Sequence, residues 1–118
     1  MRILVCGSRH CDEELSDLVW NRLQDIIPGN EPCTIIHGAA PGVDTQAMIV
    51  ADMLPNCKHL PFEAEWNKHG RAAGPIRNKR MLDEGKPDLV VAFPGGRGTA
   101  NMVKQAKAGG FKVIEVTP

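Results

Sequence analysis

A glycine-rich turn follows an apolar run in the segment VVAFPGGRGTANMV, residues 90–103. Gly95, Gly96 and Gly98 would let a ligand approach the backbone with no side chain in between. A helix that begins just after them would direct its free amides and the positive end of its dipole at that ligand. The pattern predicts an anion-binding turn that suits a phosphate. The alternative is a tight connection between a strand and a helix, with Thr99 as the N-cap.

A second glycine turn follows the first apolar run of the chain, in VCGSR, residues 5–9. Gly7 permits a close backbone approach, Ser8 offers a hydroxyl, and Arg9 offers a fork of donors that suits phosphate or carboxylate. This turn is a second candidate for anion binding. The alternative is an ordinary turn with a solvated arginine.

A third turn has the sequence HGAAPGVD, residues 37–44, in which Gly38 and Gly42 permit a tight backbone. Asp44 stands where a helix begins. It is either the N-cap of that helix or a functional carboxylate that accepts from ribose hydroxyls or acts as a general base. His37 ends a strand and is either a buried imidazole or a catalytic one.

A basic segment lies between residues 66 and 80 of a chain that has no net charge. We place Arg77 in the first turn of a helix, where it opposes the helix dipole unless an anion compensates it. The alternative is a solvated helix face. Trp66, at the start of the segment, could stack on a base or cover the core. The basic residues are Lys68, His69, Arg71, Arg77, Lys79 and Arg80.

Five apolar or β-branched runs alternate with four segments of helical periodicity, which is typical of a parallel α/β sheet. The expected fold is a Rossmann-like three-layer sandwich, with a five-stranded parallel sheet of order 3-2-1-4-5 and helices on both faces. In that order, the loops after strands one and four face each other where the winding reverses. Segment 62–75 is one long irregular stretch, and loops of that length are usually functional or mobile. We place the strands at 3–6, 34–37, 59–62, 89–93 and 112–116, and the helices at about 15–27, 44–54, 74–85 and 99–108.

The composition sets limits on the function. The 118 residues fit one domain, residues 1–118, and 14 Lys and Arg balance 14 Asp and Glu. No global field therefore attracts nucleic acid or an acidic membrane, and no apolar run approaches the roughly 20 residues of a membrane span. The four cysteines lack CxxC spacing, which indicates reduced thiols rather than a zinc site or disulfides. We expect a cytoplasmic protein without a metal or another cofactor.

Several familiar signatures are absent from the sequence. It contains neither a GxSxG nucleophile turn nor an HExxH zinc motif. Gly7 is followed by Ser8 and Arg9, so the GxGxxG fingerprint of nicotinamide cofactors is also absent.

Four motifs in order give the chain a family resemblance over nearly its whole length. They are VCGSR (5–9), HGAAPGVDTQA (37–47), AEWNKHGRAAGPIRNKRM (64–81) and DLVVAFPGGRGTANM (88–102). The chain resembles the small stand-alone members of the SLOG superfamily, in particular the YspA-like proteins. That resemblance implies a Rossmann-like fold that binds nucleotides or nucleotide-derived ligands, and self-association into a homodimer or a larger oligomer.

Two related families point to different activities. PGGRGT is similar to the PGGxGTxxE motif of the LOG phosphoribohydrolases, which hydrolyse the N-glycosidic bond of nucleoside monophosphates. The final Glu is catalytic in that family, and Met102 stands in its place here. Arg77 lies in a region comparable to that family's catalytic arginine, and Asp44 is the acidic side chain that could substitute for the Glu. HGAAPGVDTQA is similar to the SGxAxGID segment of the DNA-processing protein A family, which binds single-stranded DNA.

The ligand expected from these motifs is a nucleotide or an ADP-ribose-like molecule. We expect neither a membrane nor nucleic acid as the main partner. An N-glycoside hydrolase that acts on nucleoside phosphates is the alternative, and a single-stranded DNA-binding module is a further one. The candidate catalytic residues are Asp44 and Arg77. The candidate ligand-binding residues are Gly7, Ser8, Arg9, His37, Gly38, Gly42, Gly74, Arg77, Asn78, Pro94, Gly95, Gly96, Gly98 and Thr99.

Overall fold

The computed structural model describes residues 1–118 and contains one sheet of five parallel strands in the order β3-β2-β1-β4-β5. The strands are β1 (Arg2–Cys6), β2 (Cys33–His37), β3 (Cys57–Pro61), β4 (Leu89–Ala92) and β5 (Val113–Glu115). The helices are α1 (Glu13–Ile26), α2 (Val43–Met53), α3 (Trp66–His69), α4 (Ala73–Asp83) and α5 (Arg97–Ala108), and a 3₁₀ turn (Gly70–Ala72) separates α3 from α4. The expected α/β fold and its strand order are confirmed.

The core has two halves, one on each face of the sheet, because successive side chains of a strand point to opposite faces. Along β1, Ile3 and Val5 pack in the half that α1 and α2 cover. Leu4 and Cys6 pack in the half that α4 and α5 cover. The central strands are buried on both faces, which explains their continuous apolar runs.

Helix α1 shows how local sequence sets an element. Asp12 is its N-cap, and the side chain accepts from the Leu15 amide at 2.8 Å. Val19 and Leu23, four residues apart, are fully buried against the sheet. Pro28 and Gly29 follow its C-cap, Ile27. None of the helices combines the length and the apolar character needed to cross a bilayer.

Two expectations about helix starts and one about a loop are wrong. Helix α5 begins at Arg97, with Gly96 as its N-cap, so Thr99 lies inside the helix rather than at the cap. Helix α4 begins at Ala73, which places Arg77 just beyond the first turn. The segment 62–75 contains α3 and the 3₁₀ turn, so it is not one irregular loop. Helices α4 and α5 each begin before the expected residue, and neither has a side-chain cap that would mark its start.

Candidate functional site

A cavity of about 480 Å³ opens beyond the carboxyl ends of β1 and β4, where the winding of the sheet reverses. The loops after these two strands are in direct contact. The Ser8 amide donates to the Pro94 carbonyl oxygen at 2.9 Å. A Cβ atom on Gly95 would lie 2.9 Å from both the Gly7 carbonyl carbon and the Ser8 nitrogen. The backbones approach this closely because position 95 has no side chain.

The loop after β2 is attached to the loop after β1. The Val43 amide donates to the Ser8 carbonyl oxygen at 2.9 Å. Gly42 precedes it with φ at +84°, in the left-handed region that favours glycine, and a Cβ there would overlap that same carbonyl oxygen. Three glycine turns from separate parts of the chain therefore form one rim of the cavity.

Asp44 lines the cavity and belongs to the first turn of α2, but its carboxylate does not cap that helix. The N-cap is Gly42, so the N-cap interpretation of Asp44 is wrong. The Oδ2 atom of Asp44 instead accepts from the amides of Gly38 and Ala40, each at 3.2 Å. These two amides belong to the loop after β2, so the carboxylate holds that loop against α2.

Arg77 reaches the same loop from α4. Its Nη1 donates to the Gly38 carbonyl oxygen at 2.6 Å. A Cβ atom on Gly38 would lie 2.5 Å from this Nη1 and 3.0 Å from Asp44 Oδ2. The absence of a side chain at position 38 thus lets a guanidinium and a carboxylate lie on either side of one glycine.

The environment shifts the pKa values of both charged groups. Burial raises the pKa of Asp44 to about 6, against the Ala40 amide, the Arg77 charge and the Gly38 amide, which favour the ionised form. Burial lowers the pKa of Arg77, and the charge of Asp44 opposes that effect. At neutral pH Asp44 is mostly ionised, but it can take up a proton close to that pH, as a general acid or base must.

The lining of the cavity is positively charged. Four arginines and one carboxylate, Asp44, line it, although the whole chain has no net charge. Arg77 is half-buried, while the other three side chains are exposed. Guanidinium groups bind phosphate through paired hydrogen bonds. The four arginines are Arg9, Arg71, Arg77 and Arg97.

Four residues of the basic segment form two groups. Arg71 and Arg77 line the cavity. On the outer face of α4, Lys79 pairs with Asp83 at 2.8 Å and Arg80 with Glu84 at 3.2 Å. The solvated-face alternative thus describes Lys79 and Arg80, whose exposed pairs contribute little to stability.

Asn78 is buried and connects α4 to the start of α5. Its amide donates to the Gly98 carbonyl oxygen at 3.2 Å and to Asn101 Oδ1 at 3.1 Å. Its own Oδ1 accepts from Arg77 Nε at 3.1 Å. Asn78 therefore holds both the guanidinium of Arg77 and the backbone of the glycine turn in position.

The structure places His37 outside the cavity. Its side chain is buried, and Nδ1 accepts from the Ala39 amide at 3.0 Å, so Nε2 carries the proton and donates to His59 Nδ1 at 3.0 Å. Burial and the stacked His59 ring lower the pKa of His37 to about 4. The imidazole is neutral at pH 7 and orders the start of the loop after β2.

Ten of the candidate residues come together around the cavity. Gly38, Gly42, Pro94 and Gly95 do not line it, but they form the contacts between loops described above. The ten residues that line the cavity are Gly7, Ser8, Arg9, Asp44, Gly74, Arg77, Asn78, Gly96, Gly98 and Thr99.

Nine further residues line the cavity that were not among the candidates. Helical spacing in the sequence could have identified some of them. Met81 follows Gly74, Arg77 and Asn78 at i+7, i+4 and i+3, on the same face of α4. Arg97 is the side chain inside the glycine motif. The additional lining residues are Cys6, His10, Ala40, Trp66, Arg71, Pro75, Met81, Arg97 and Asn101.

Three comparisons relate the chain to known proteins. Residues 1–69 match the model of the family described as YAcAr, "YspA, cpYpsA-related SLOG family". The Gene 61 protein of Mycobacterium phage D29 is 32% identical over 124 residues, which cover 96% of this chain and 94% of that protein. A structure of DNA processing protein A from Helicobacter pylori, described for its single-stranded DNA binding mode, superimposes with a TM-score of 0.70 at 15% identity. That match covers all of this chain and 66% of the other, and it shows a common fold.

Asp44 and His37 should make the free energy of unfolding depend on pH in opposite directions. The raised pKa of Asp44, from 3.8 to about 6, stabilises the fold at low pH, and this contribution is lost as the pH rises towards 6. The lowered pKa of His37, from 6.5 to about 4, stabilises the fold above pH 6.5, and this contribution is lost as the pH falls towards 4. Each shift corresponds to about 3 kcal/mol, so the two contributions nearly cancel between pH 4 and 6.5.

Single substitutions should separate the contribution of Asp44 from that of His37. The free energy of unfolding of Asp44→Asn should rise by about 3 kcal/mol, relative to the native protein, from pH 4 to 6.5, and that of His37→Gln should fall by a similar amount. Urea unfolding at several pH values measures this, and all other titrating groups are common to the three proteins. Parallel profiles for all three would contradict the assignment.

Proposed function

The chain belongs to the YspA, cpYpsA-related SLOG family, and we propose that it binds a nucleotide or a nucleotide-derived phosphate ligand in the cavity between β1 and β4. A nucleoside phosphate or an ADP-ribose-like molecule fits this description. The observation that carries the proposal is the gathering of four arginines and the start of α5 around one cavity of about 480 Å³, in a protein without net charge. This volume lies within the usual range of small-molecule sites.

Free backbone donors at the start of α5 support a phosphate there. The N-cap Gly96 offers no side-chain acceptor, and the amides of Arg97, Gly98 and Thr99 donate to no group of the protein. The helix has 12 residues, so its dipole adds to these donors. Phosphate oxygens can satisfy the three amides.

The remaining groups would take the other parts of the ligand. Ser8, Arg9 and Arg77 line the cavity, where Ser8 would donate a hydrogen bond to the phosphate and the two arginines would neutralise its charge. Asp44 would accept from the ribose hydroxyls. Carboxylate recognition of ribose beside a glycine turn is the arrangement that other Rossmann-like folds use.

The substitution Gly96→Asp tests the phosphate position. No atom lies within 4 Å of a Cβ built at Gly96, and Asp is a favoured N-cap residue, so the fold should be retained. The added carboxylate would accept from the free amides and repel an anion. We expect affinity for nucleoside phosphates and ADP-ribose to fall about tenfold or more, measured by calorimetry.

The matched control is Gly29→Asp, which makes the same change of charge on the remote turn after α1, also with no atom within 4 Å of the new Cβ. It should bind as the native protein does. A saturating ligand, at 100 times its Kd, should stabilise the native protein by about 2.7 kcal/mol, which a thermal melt detects. If no phosphate-bearing compound raises the melting temperature, the proposal is wrong.

Single-stranded DNA should be tested together with the nucleotides, because the structural neighbour binds it. Binding through many phosphates would weaken steeply as salt rises, whereas binding of one nucleotide would depend on salt only modestly. The salt dependence therefore distinguishes a DNA-binding module from a nucleotide-binding one. Self-association and a cytoplasmic location stay predictions.

Hydrolysis of an N-glycosidic bond is a second candidate function, favoured by one observation. Asp44 lines the cavity, is 7% exposed and has a pKa raised to about 6. Met102, which stands where the LOG phosphoribohydrolases have their catalytic glutamate, is fully buried in the core against α4 and the sheet. Any such reaction would therefore depend on Asp44.

The second candidate function predicts that the protein releases the free base from a nucleoside monophosphate. Chromatography measures this release. Activity should rise with pH through about 6 as Asp44 ionises. The variant Asp44→Asn should lose activity by about 100-fold or more while it still binds the substrate. Undiminished base release by Asp44→Asn would rule out this mechanism.

A further inference from the structure

Trp66 is an exposed aromatic side chain at the mouth of the cavity. It is the first residue of α3, and 49% of its surface is exposed. Its Cη2 atom would lie 3.5 Å from a Cβ on the buried Gly74, so the edge of the indole rests against the start of α4. The ring is therefore in contact with α4 at one edge, while about half of the residue is exposed.

The two tryptophans of the chain differ in their partners. Trp20 is half-buried, and its indole nitrogen donates to Gln46 Oε1 at 2.9 Å. The Trp66 nitrogen donates to no group of the protein, and no aromatic ring or cation stacks on the Trp66 ring. The stacked pairs of the structure are His37 on His59 and Arg80 on Phe62. About half of Trp66 is exposed, and neither an aromatic nor a cationic group of the protein stacks on its ring.

A recess of about 220 Å³ opens beside Trp66. The loop after β2, residues 38–41, lines one side, and Glu63, Ala64 and Trp66 after β3 line the other. The recess and the main cavity share Arg9, Ala40, Trp66 and Arg77, so they are neighbouring parts of one crevice. Trp66 lies at the junction between them.

The strand order arranges the groups of this crevice in a row. The phosphate donors lie after β4 and β1, Asp44 and Arg77 meet at the loop after β2, and Trp66 follows β3 at the edge of the sheet. A nucleotide has the same order of parts: phosphate, ribose and base. With its phosphate at α5 and its ribose at Asp44, its base would lie at Trp66.

We propose that the recess at Trp66 is a nucleobase subsite, in which the indole stacks on the base of the ligand. The ligand class is then a nucleoside phosphate or a nucleotide-derived molecule that carries an aromatic base, rather than a sugar phosphate or an inorganic polyphosphate. This inference rests on the proposed function and specifies the ligand of the same site.

Fluorescence of a variant in which Trp66 is the single tryptophan measures base stacking directly. In the Trp20→Phe variant, emission comes from Trp66 alone. AMP and ADP-ribose should quench it by stacking, whereas ribose 5-phosphate and pyrophosphate should bind without comparable quenching. The Trp20→Phe change lies outside the cavity, so this variant should bind all four compounds as the native protein does.

Affinity provides the second measurement, made with Trp66→Ala and Trp66→Phe. Stacking of a base on an aromatic side chain predicts that Trp66→Ala weakens AMP binding about 5- to 150-fold and leaves ribose 5-phosphate binding unchanged. Trp66→Phe should restore much of the loss. Because Trp66 is half exposed, both variants should fold, and their thermal melts verify it.

The two proposals fail in different ways. If ribose 5-phosphate and pyrophosphate bind but AMP gains nothing over them, and Trp66→Ala changes none of the affinities, the base subsite is wrong and the phosphate site stands. If the native protein binds none of the four compounds, both are wrong. Equal quenching by pyrophosphate would also overturn stacking, because pyrophosphate has no ring.

Discussion

The Ser8 amide donates to the Pro94 carbonyl oxygen at 2.9 Å and joins the loop after β1 to the loop after β4. These two strands are neighbours at the place where successive crossovers change direction, so the helices that follow them lie on opposite faces. Gly7 and Gly96 line the space between the two helices, and the absence of a side chain at Gly95 lets the two loops touch. The loop after β2 and the start of α2 add Ala40 and Asp44 to the lining, and Gly42 lies against the Ser8 carbonyl.

Charge is distributed unevenly in this neutral protein. On the outside of α4, lysine and arginine pair with acidic residues one turn away. Around the cavity, four arginines share one carboxylate. Such an excess of like charge is unfavourable unless solvent or an anion compensates it. Asp44 also carries a cost, because burial raises its pKa and the backbone amides offset only part of that effect. Charged groups whose pKa values are shifted by burial and by neighbouring charges are typical of binding and catalytic sites.

Comparison with related sequences separates the fold from the chemistry. The solved structure of DNA processing protein A has the same fold at 15% identity, so this fold tolerates extensive change of sequence. In this chain the residue at the LOG glutamate position, Met102, is part of the core. The acidic group at the cavity comes instead from the first turn of α2. The fold thus fixes where the cavity lies, and the side chains that line it determine its chemistry.

The sequence alone was sufficient for the fold. Apolar runs identified all five strands, and the alternation with helical segments specified a parallel sheet, because each crossover must be right-handed and cover one face. It was also sufficient to locate the glycine turns, since the need for close backbone approach is visible in the residue type itself. Helix starts at Ala73 and Arg97 were missed, because no side-chain cap marks them.

Only the tertiary structure determined which polar groups meet. Asp44 has the spacing of an N-cap, yet its partners are amides of the loop after β2, which periodicity does not relate to it. His37 has the position of a site residue, yet its ring is stacked on that of His59 in β3 and lies outside the cavity. Trp66 was ambiguous between core and ligand because its exposure depends on α3 and the start of α4. Local sequence specifies the conformation of each segment, whereas a site is formed by side chains from distant segments whose distances only the packed sheet decides.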